Sequence, residues 1–266
     1  MTTVMRRLAV TAALLVAVAG ACVGNRQPAG EGCEPVVALV ASSMIDAFGE
    51  HSANPCAADW KITGGSSTAL VAQVREGSPA DAFVSAGKKA IAQLQDEKLV
   101  VGEPVELGSV PATLYVARGN ENSVTFEQLP QLVAGGWKVG ACVASAPCGA
   151  MVDELLANAT AVWGGGFTRR GLVVTEAESA SALMTQVAMG EIDAALTYGN
   201  VCNPPPNAEA TGTCVDIPDS VSGKKVNVLT PFFAVRLREG TAADSFMRYV
   251  QSEAFRVFIS ERMGIK

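Results

Sequence analysis

The chain has 266 residues, 49% of them hydrophobic and 17% charged, with a net charge of −6. A chain of this length can bury one large core or two modest ones, and its composition is that of an ordinary globular protein. The acidic balance argues against a nucleic-acid partner and against an anionic membrane surface, and it means that an anionic ligand would not be held by overall charge.

Residues 1–21 stand apart. Arg6 and Arg7 precede the apolar run Leu8 to Val18, which ends in Ala19-Gly20-Ala21 just before Cys22. That order of charged, apolar and small segments is a secretory signal, and the apolar run is too short to span a bilayer comfortably. Cys22 sits where a bacterial lipoprotein carries its lipid-modified cysteine, although Ala19 takes a place usually held by Leu or Val; simple secretion is the alternative. Residues 22–34 then read as a flexible, lipid-anchored tether. Without residues 1–21, 18 basic residues face 26 acidic ones, a net of −8.

Pro35 to Ala41 is a continuous apolar run, the pattern of a parallel strand buried on both faces. Ser42-Ser43 follows at once, Met44, Ala47 and Phe48 have helical spacing, and Ser43 with Asp46 predicts a capping box. Trp60 to Thr63 reads as the second strand. It leads into Gly64-Gly65-Ser66-Ser67-Thr68, a helix with the core stripe Leu70, Val71 and Val74, a stop at Gly77 and Pro79, and a strand over Ala82 to Val84. Hydroxyls at this helix start have two uses: Ser66 or Ser67 can cap the helix, or they can join the free N–H groups and the helix dipole in holding an anion.

Lys88 to Gln95 is an amphipathic helix. Val105 to Ala117 is strand-like but interrupted by Pro111. A helix near Phe126 to Val133, a strand Lys138 to Val143, a helix Gly149 to Ala157, a strand Leu172 to Val174, a helix Ser181 to Met189 and a strand Ala194 to Tyr198 follow. Val226 to Leu237 is a strand-like run interrupted by Pro231, and Thr241 to Ile259 reads as a closing helix. This alternation predicts an α/β class chain with two lobes. One lobe, 35–110 plus 232–266, is discontinuous; the other is 111–231, with crossings at about 109–116 and 226–233. The prolines there mark either edge strands or hinges.

Seven cysteines become six once Cys22 is set aside, an even count that in an exported protein points to disulfides. Six cysteines permit fifteen pairings; position favours Cys33 with Cys56, Cys142 with Cys148, and Cys202 with Cys214. A zinc site is disfavoured, because there is no Cys-x-x-Cys and His51 is the sole histidine.

Four strand-to-helix turns share one chemistry: Ala41-Ser42-Ser43, Gly65-Ser66-Ser67, Ala146-Pro147-Cys148-Gly149 and Glu178-Ser179-Ala180. Open α/β sheets bind ligands at the carboxyl ends of their strands, where these turns should lie, and Tyr198 would end its own strand beside them.

These segments carry a resemblance. Ala41-Ser42-Ser43-Met44-Ile45-Asp46-Ala47-Phe48, the string Gly77-Ser78-Pro79-Ala80-Asp81-Ala82-Phe83-Val84-Ser85-Ala86, Pro147-Cys148-Gly149 and Asp193-Ala194-Ala195-Leu196-Thr197-Tyr198-Gly199 are similar to the periplasmic molybdate-binding proteins of ABC importers. Cys142 and Cys148 resemble the variant of actinobacterial members. The resemblance implies a two-lobed periplasmic binding protein fold, each lobe a mixed sheet flanked by helices, with the ligand in the interlobe cleft. It implies no enzyme activity and no cofactor. The ligand would be molybdate or tungstate, held as an oxyanion by the hydroxyls of Ser43 and Ser67, the backbone N–H groups of these serines, Cys148 and Ala180, and the phenol of Tyr198, with no direct metal-ligand side chains. Ser42 is an alternative to Ser43 as donor, and Glu178 is expected to face solvent. The implied partner is an ABC permease, with the chain acting as a monomer on the outer face of the cytoplasmic membrane. Another oxyanion such as sulfate is one alternative. A secreted serine hydrolase is another, but its nucleophile would need His51 as base and there is no Gly-x-Ser-x-Gly elbow.

Overall fold

The computed structural model describes residues 33–49, 54–118, 124–203 and 211–266. The signal segment, Cys22 and His51 lie outside them. The chain begins with β1 (Val36–Ala41) and a 3-10 turn (Ser42–Ala47), then β2 (Trp60–Gly65), α1 (Ser67–Arg75), β3 (Ala82–Ala86), α2 (Lys88–Asp96) and the long β4 (Val101–Ala117). After α3 (Leu129–Ala134) come β5 (Val139–Cys142), α4 (Pro147–Trp163), α5 (Arg169–Leu172), β6 (Val173–Ala177), α6 (Ala180–Ala188) and β7 (Ala194–Tyr198). The remainder is β8 (Gly212–Asp216), the small ribbon β9 (Ser220–Val221) and β10 (Lys224–Lys225), β11 (Leu229–Arg236), α7 (Thr241–Val250) and α8 (Glu253–Met263).

One mixed sheet runs through the molecule in the order β2-β1-β3-β11-β4-β7-β5-β6, with β8 also paired to β4. β1 is parallel to β2 and β3, and β5 is parallel to β6 and β7. β4 and β11 are antiparallel to their neighbours and join the two groups. The change of partner falls at Pro111: up to that residue β4 pairs with β11, from Ala112 it pairs with β7, and from Thr113 also with β8. Proline cannot donate to a ladder, so it is tolerated where one neighbour leaves and another arrives. Asn227, which is buried, stitches this junction: its Oδ1 accepts from the Ala112 N–H at 2.9 Å, and its Nδ2 donates to the carbonyls of Ala112 at 3.2 Å and Ile217 at 2.9 Å.

Helices cover both faces of the sheet. Leu39, Leu70, Phe83, Leu94 and Phe233 belong to one buried cluster beneath α1 and α2. Beyond β1 and β2, Phe48 stacks on Phe246 at 5.1 Å between ring centroids, and Trp60, Tyr249 and Phe255 complete the group. Tyr249 Oη donates to the Ala47 carbonyl at 3.0 Å, which fixes the end of the 3-10 turn. Disulfides join Cys33 to Cys56, Cys142 to Cys148 and Cys202 to Cys214, with Cα separations of 5.5, 5.6 and 5.7 Å.

Several local expectations are corrected. The capping box of Ser43 and Asp46 does not form; the segment is a 3-10 turn with Ala41 at its N-cap and no side-chain cap bond. The single closing helix is two, because Ser252 starts a second one, its Oγ accepting from the Phe255 N–H at 3.2 Å. α4 continues to Trp163, six residues past its expected end, since Ala159, Val162 and Trp163 keep packing against the core although Thr160 and Val162 are β-branched and weak helix formers. α5, β8 and the ribbon β9–β10 carry too few periodic residues to be seen in the sequence.

Candidate functional site

The parallel strands β1, β2 and β3 on one side and β5, β6 and β7 on the other turn their carboxyl ends toward a common cleft. A small cavity there has about 10 Å³ of free room, space for about one water sphere. Residues from all four predicted turns line it, as does Tyr198. No lining residue is charged.

Ser67 is 1% exposed and opens α1. Its Oγ accepts from the Ala86 N–H at 3.0 Å, a bond that ties α1 to the end of β3. A hydroxyl has one proton and two lone pairs, so this bond leaves the Ser67 proton free for the cavity. The helix cap falls on the other serine: Ser66 Oγ accepts from the Ala69 N–H at 3.3 Å. Ser42 and Ser43 both line the cavity from the 3-10 turn, so the geometry keeps both as donors.

Cys148 lies in the first turn of α4, which has Pro147 in that turn, Ala146 as its N-cap and no side-chain cap bond. The first N–H groups of a helix have no partner within it, and here no side chain takes their place. Gly149 is required by close approach, because a Cβ there would lie 1.9 Å from the Val143 carbonyl oxygen. Ala180 begins α6, capped by Ser179, whose Oγ accepts from the Ala182 N–H at 3.2 Å. Glu178 is exposed and does not line the cavity.

Tyr198 ends β7 with its ring edge-on to Phe232 at 5.9 Å. It is 2% exposed, and its hydroxyl has no hydrogen-bond partner among the described residues. Burial raises the phenol far above its ordinary pKa, so it remains a proton donor. An unpaired buried hydroxyl costs about 1–3 kcal/mol.

Two bonds close the cleft over this cavity. Thr68 Oγ1 donates to the Ser145 carbonyl at 3.0 Å, and Asn200 Nδ2 donates to the Ser43 carbonyl. Asn200 is buried and was not singled out from the sequence; its only signal there is a polar residue directly after Tyr198-Gly199. The starts of α1, α4 and α6 thus converge with hydroxyl donors around a space that has no carboxylate. Such a donor-rich, uncharged site suits an anion.

Comparison with known proteins places the chain in a family. Residues 33–264 match the family model described as bacterial extracellular solute-binding protein. The molybdate-binding protein ModA of Mycobacterium tuberculosis is 26% identical over 259 residues, covering 94% of this chain and 93% of its own. The periplasmic molybdate-binding protein of Azotobacter vinelandii superposes with a TM-score of 0.65 at 18% identity, over 87% of this chain and 98% of that one. The sulfate-binding protein SubI of Mycobacterium tuberculosis superposes with a TM-score of 0.57 at 18% identity, over 84% of this chain and 80% of its own. These structures share the two-lobed fold. With nearly all of its described residues inside the matched span, the chain belongs to the bacterial extracellular solute-binding protein family.

Proposed function

We propose that this protein captures molybdate or tungstate outside the cytoplasmic membrane and delivers it to an ABC import permease, tethered by a lipid on Cys22 and acting as a monomer. The observation that carries this reading is the buried, uncharged cavity with the unpartnered Tyr198 hydroxyl. In it Ser43, Ser67 and Tyr198 donate hydroxyl protons, and the backbone N–H groups of these serines, Cys148 and Ala180 complete the set. Hydrogen bonds to an ionised acceptor are roughly twice as strong as neutral ones, and a water-poor cleft strengthens them further. The protein performs no chemistry on its ligand and carries no cofactor. Lobes of residues 35–110 with 232–266, and 111–231, would part about the two crossings to admit the ion, since the cavity is closed by the Thr68 and Asn200 bonds. A second reading is sulfate, which likewise carries no proton at neutral pH and would use the same uncharged donors.

Ligand at about 100 times its dissociation constant adds about 2.7 kcal/mol to stability. Thermal unfolding in 1 mM molybdate should therefore shift the midpoint upward by roughly 5–10 °C for a chain of this size. No shift with molybdate, tungstate or sulfate contradicts the reading.

Tyr198→Phe gives a test of opposite signs. It removes an unpaired buried hydroxyl, so the ligand-free protein should be as stable as the parent or more so. It also removes a donor to the ion, so affinity should fall by about 10-fold or more, a hydrogen bond to a charged group being worth about 1.5–3 kcal/mol. Paired melting curves and titrations read both. Because burial keeps the phenol protonated beyond its ordinary value near 10, affinity should also be flat from about pH 6 to 9.

A further inference from the structure

The donor loop between β5 and α4 is held from behind by a residue that does not touch the cavity. Arg169, the first residue of α5, directs its guanidinium at four acceptors. Its Nε donates to Asp153 Oδ1 at 2.6 Å, its Nη1 to the Cys142 carbonyl at 2.8 Å and to Glu176 Oε1 at 2.6 Å, and its Nη2 to the Gly149 carbonyl at 2.9 Å. Cys142 closes β5 and Gly149 lies in the first turn of α4, so one planar group spans both ends of the loop whose Cys148 faces the cavity. The disulfide between Cys142 and Cys148 closes the same loop covalently.

We propose that Arg169 is a positioning residue for oxyanion binding: its fork on the Cys142 and Gly149 carbonyls fixes the direction of the Cys148 N–H. The proposal rests on the oxyanion reading of the cavity. Net charge is not the mechanism, because two carboxylates flank the single guanidinium. Those carboxylates are 46% and 44% exposed while Arg169 is 22% exposed, so the pairs orient the arginine more than they stabilise the fold. The essential property is geometric. A guanidinium presents donors in a rigid planar fork, whereas a lysine ammonium is a point charge on a flexible stem and cannot hold two carbonyls in fixed relation.

Arg169→Lys therefore keeps the charge and removes the fork. In the ligand-free protein, the Cys148 amide resonance should move. Calorimetric titration with molybdate and tungstate should show affinity about 10-fold weaker or worse. Glu176→Gln, which leaves both carbonyl bonds intact, should hold affinity within about threefold. An unmoved Cys148 amide overturns the proposal, and so does a moved amide with affinity within twofold of the parent. If the parent itself binds none of molybdate, tungstate or sulfate, the oxyanion reading fails, and the Cys148 amide alone decides whether Arg169 positions the loop. Should Arg169→Lys fail to fold, the double substitution Asp153→Ala with Glu176→Ala removes both groups that orient the guanidinium, and an unmoved Cys148 amide in that protein overturns the proposal equally.

Discussion

Ser67→Ala is expected to weaken oxyanion binding by about 10- to 100-fold. A hydrogen bond to a charged group contributes about 1.5–3 kcal/mol, and each 1.4 kcal/mol is tenfold in affinity. The substitution has a second consequence that its place at a helix start does not reveal. Ser67 Oγ is the acceptor for the Ala86 N–H at 3.0 Å, and Ser67 and Ala86 are both buried. Its loss leaves that N–H unpaired, at about 1–3 kcal/mol of stability in the ligand-free protein. Ser66→Ala separates the two effects, since it removes the helix cap at about 1 kcal/mol and leaves the Ala86 bond in place. Melting curves with paired titrations should thus show Ser67→Ala failing in both stability and affinity. Equal affinity in Ser67→Ala and the parent contradicts the assignment of its proton to the ion.

Gly149→Ala is expected to damage fold and site together. A Cβ at this position would sit 1.9 Å from the Val143 carbonyl oxygen, 2.6 Å from its carbonyl carbon and 2.9 Å from the Ala144 Cα. All three are backbone atoms, so no side chain can swing aside, and the loop itself must move. Overpacking of this kind costs about 1–3 kcal/mol, roughly 2–12 °C in melting midpoint for a chain of this size. The displaced loop carries the Cys148 N–H with it, so affinity should fall by at least about 10-fold. Gly165→Ala is the control: it is exposed, nothing lies within 4 Å of its added Cβ, and its effect should stay within about 0.5 kcal/mol.

The alternation of strands and helices was legible because its signals are local. β7 falls on the expected Ala194 to Tyr198, and α2 differs by one residue from its expected end. β4 shows where local signals stop. Pro111 reads as an interruption, yet the strand continues through it, since the same residue that cannot donate marks an exchange of partners set by the distant strands β8 and β11. The cavity was legible through hydroxyl and glycine residues at strand ends, a pattern visible along the chain. Which serine caps and which faces the cavity was not legible, because Ser66 and Ser67 have the same chemistry and only the position of Ala86, nineteen residues on, separates them. Asn200 and Arg169 were missed for the same reason: their partners are carbonyls of remote segments, Ser43 for one and Cys142 with Gly149 for the other, and a backbone carbonyl leaves no mark in a sequence.

The most direct measurement of the donor-only cavity is calorimetric titration of the chain lacking residues 1–21 with molybdate, tungstate, sulfate and phosphate at neutral pH. Molybdate and tungstate should bind one to one, sulfate more weakly, and phosphate, which carries a proton but meets no carboxylate among the lining residues, should bind far more weakly still. Phosphate binding as tightly as molybdate, or heat from none of the four anions, would contradict it.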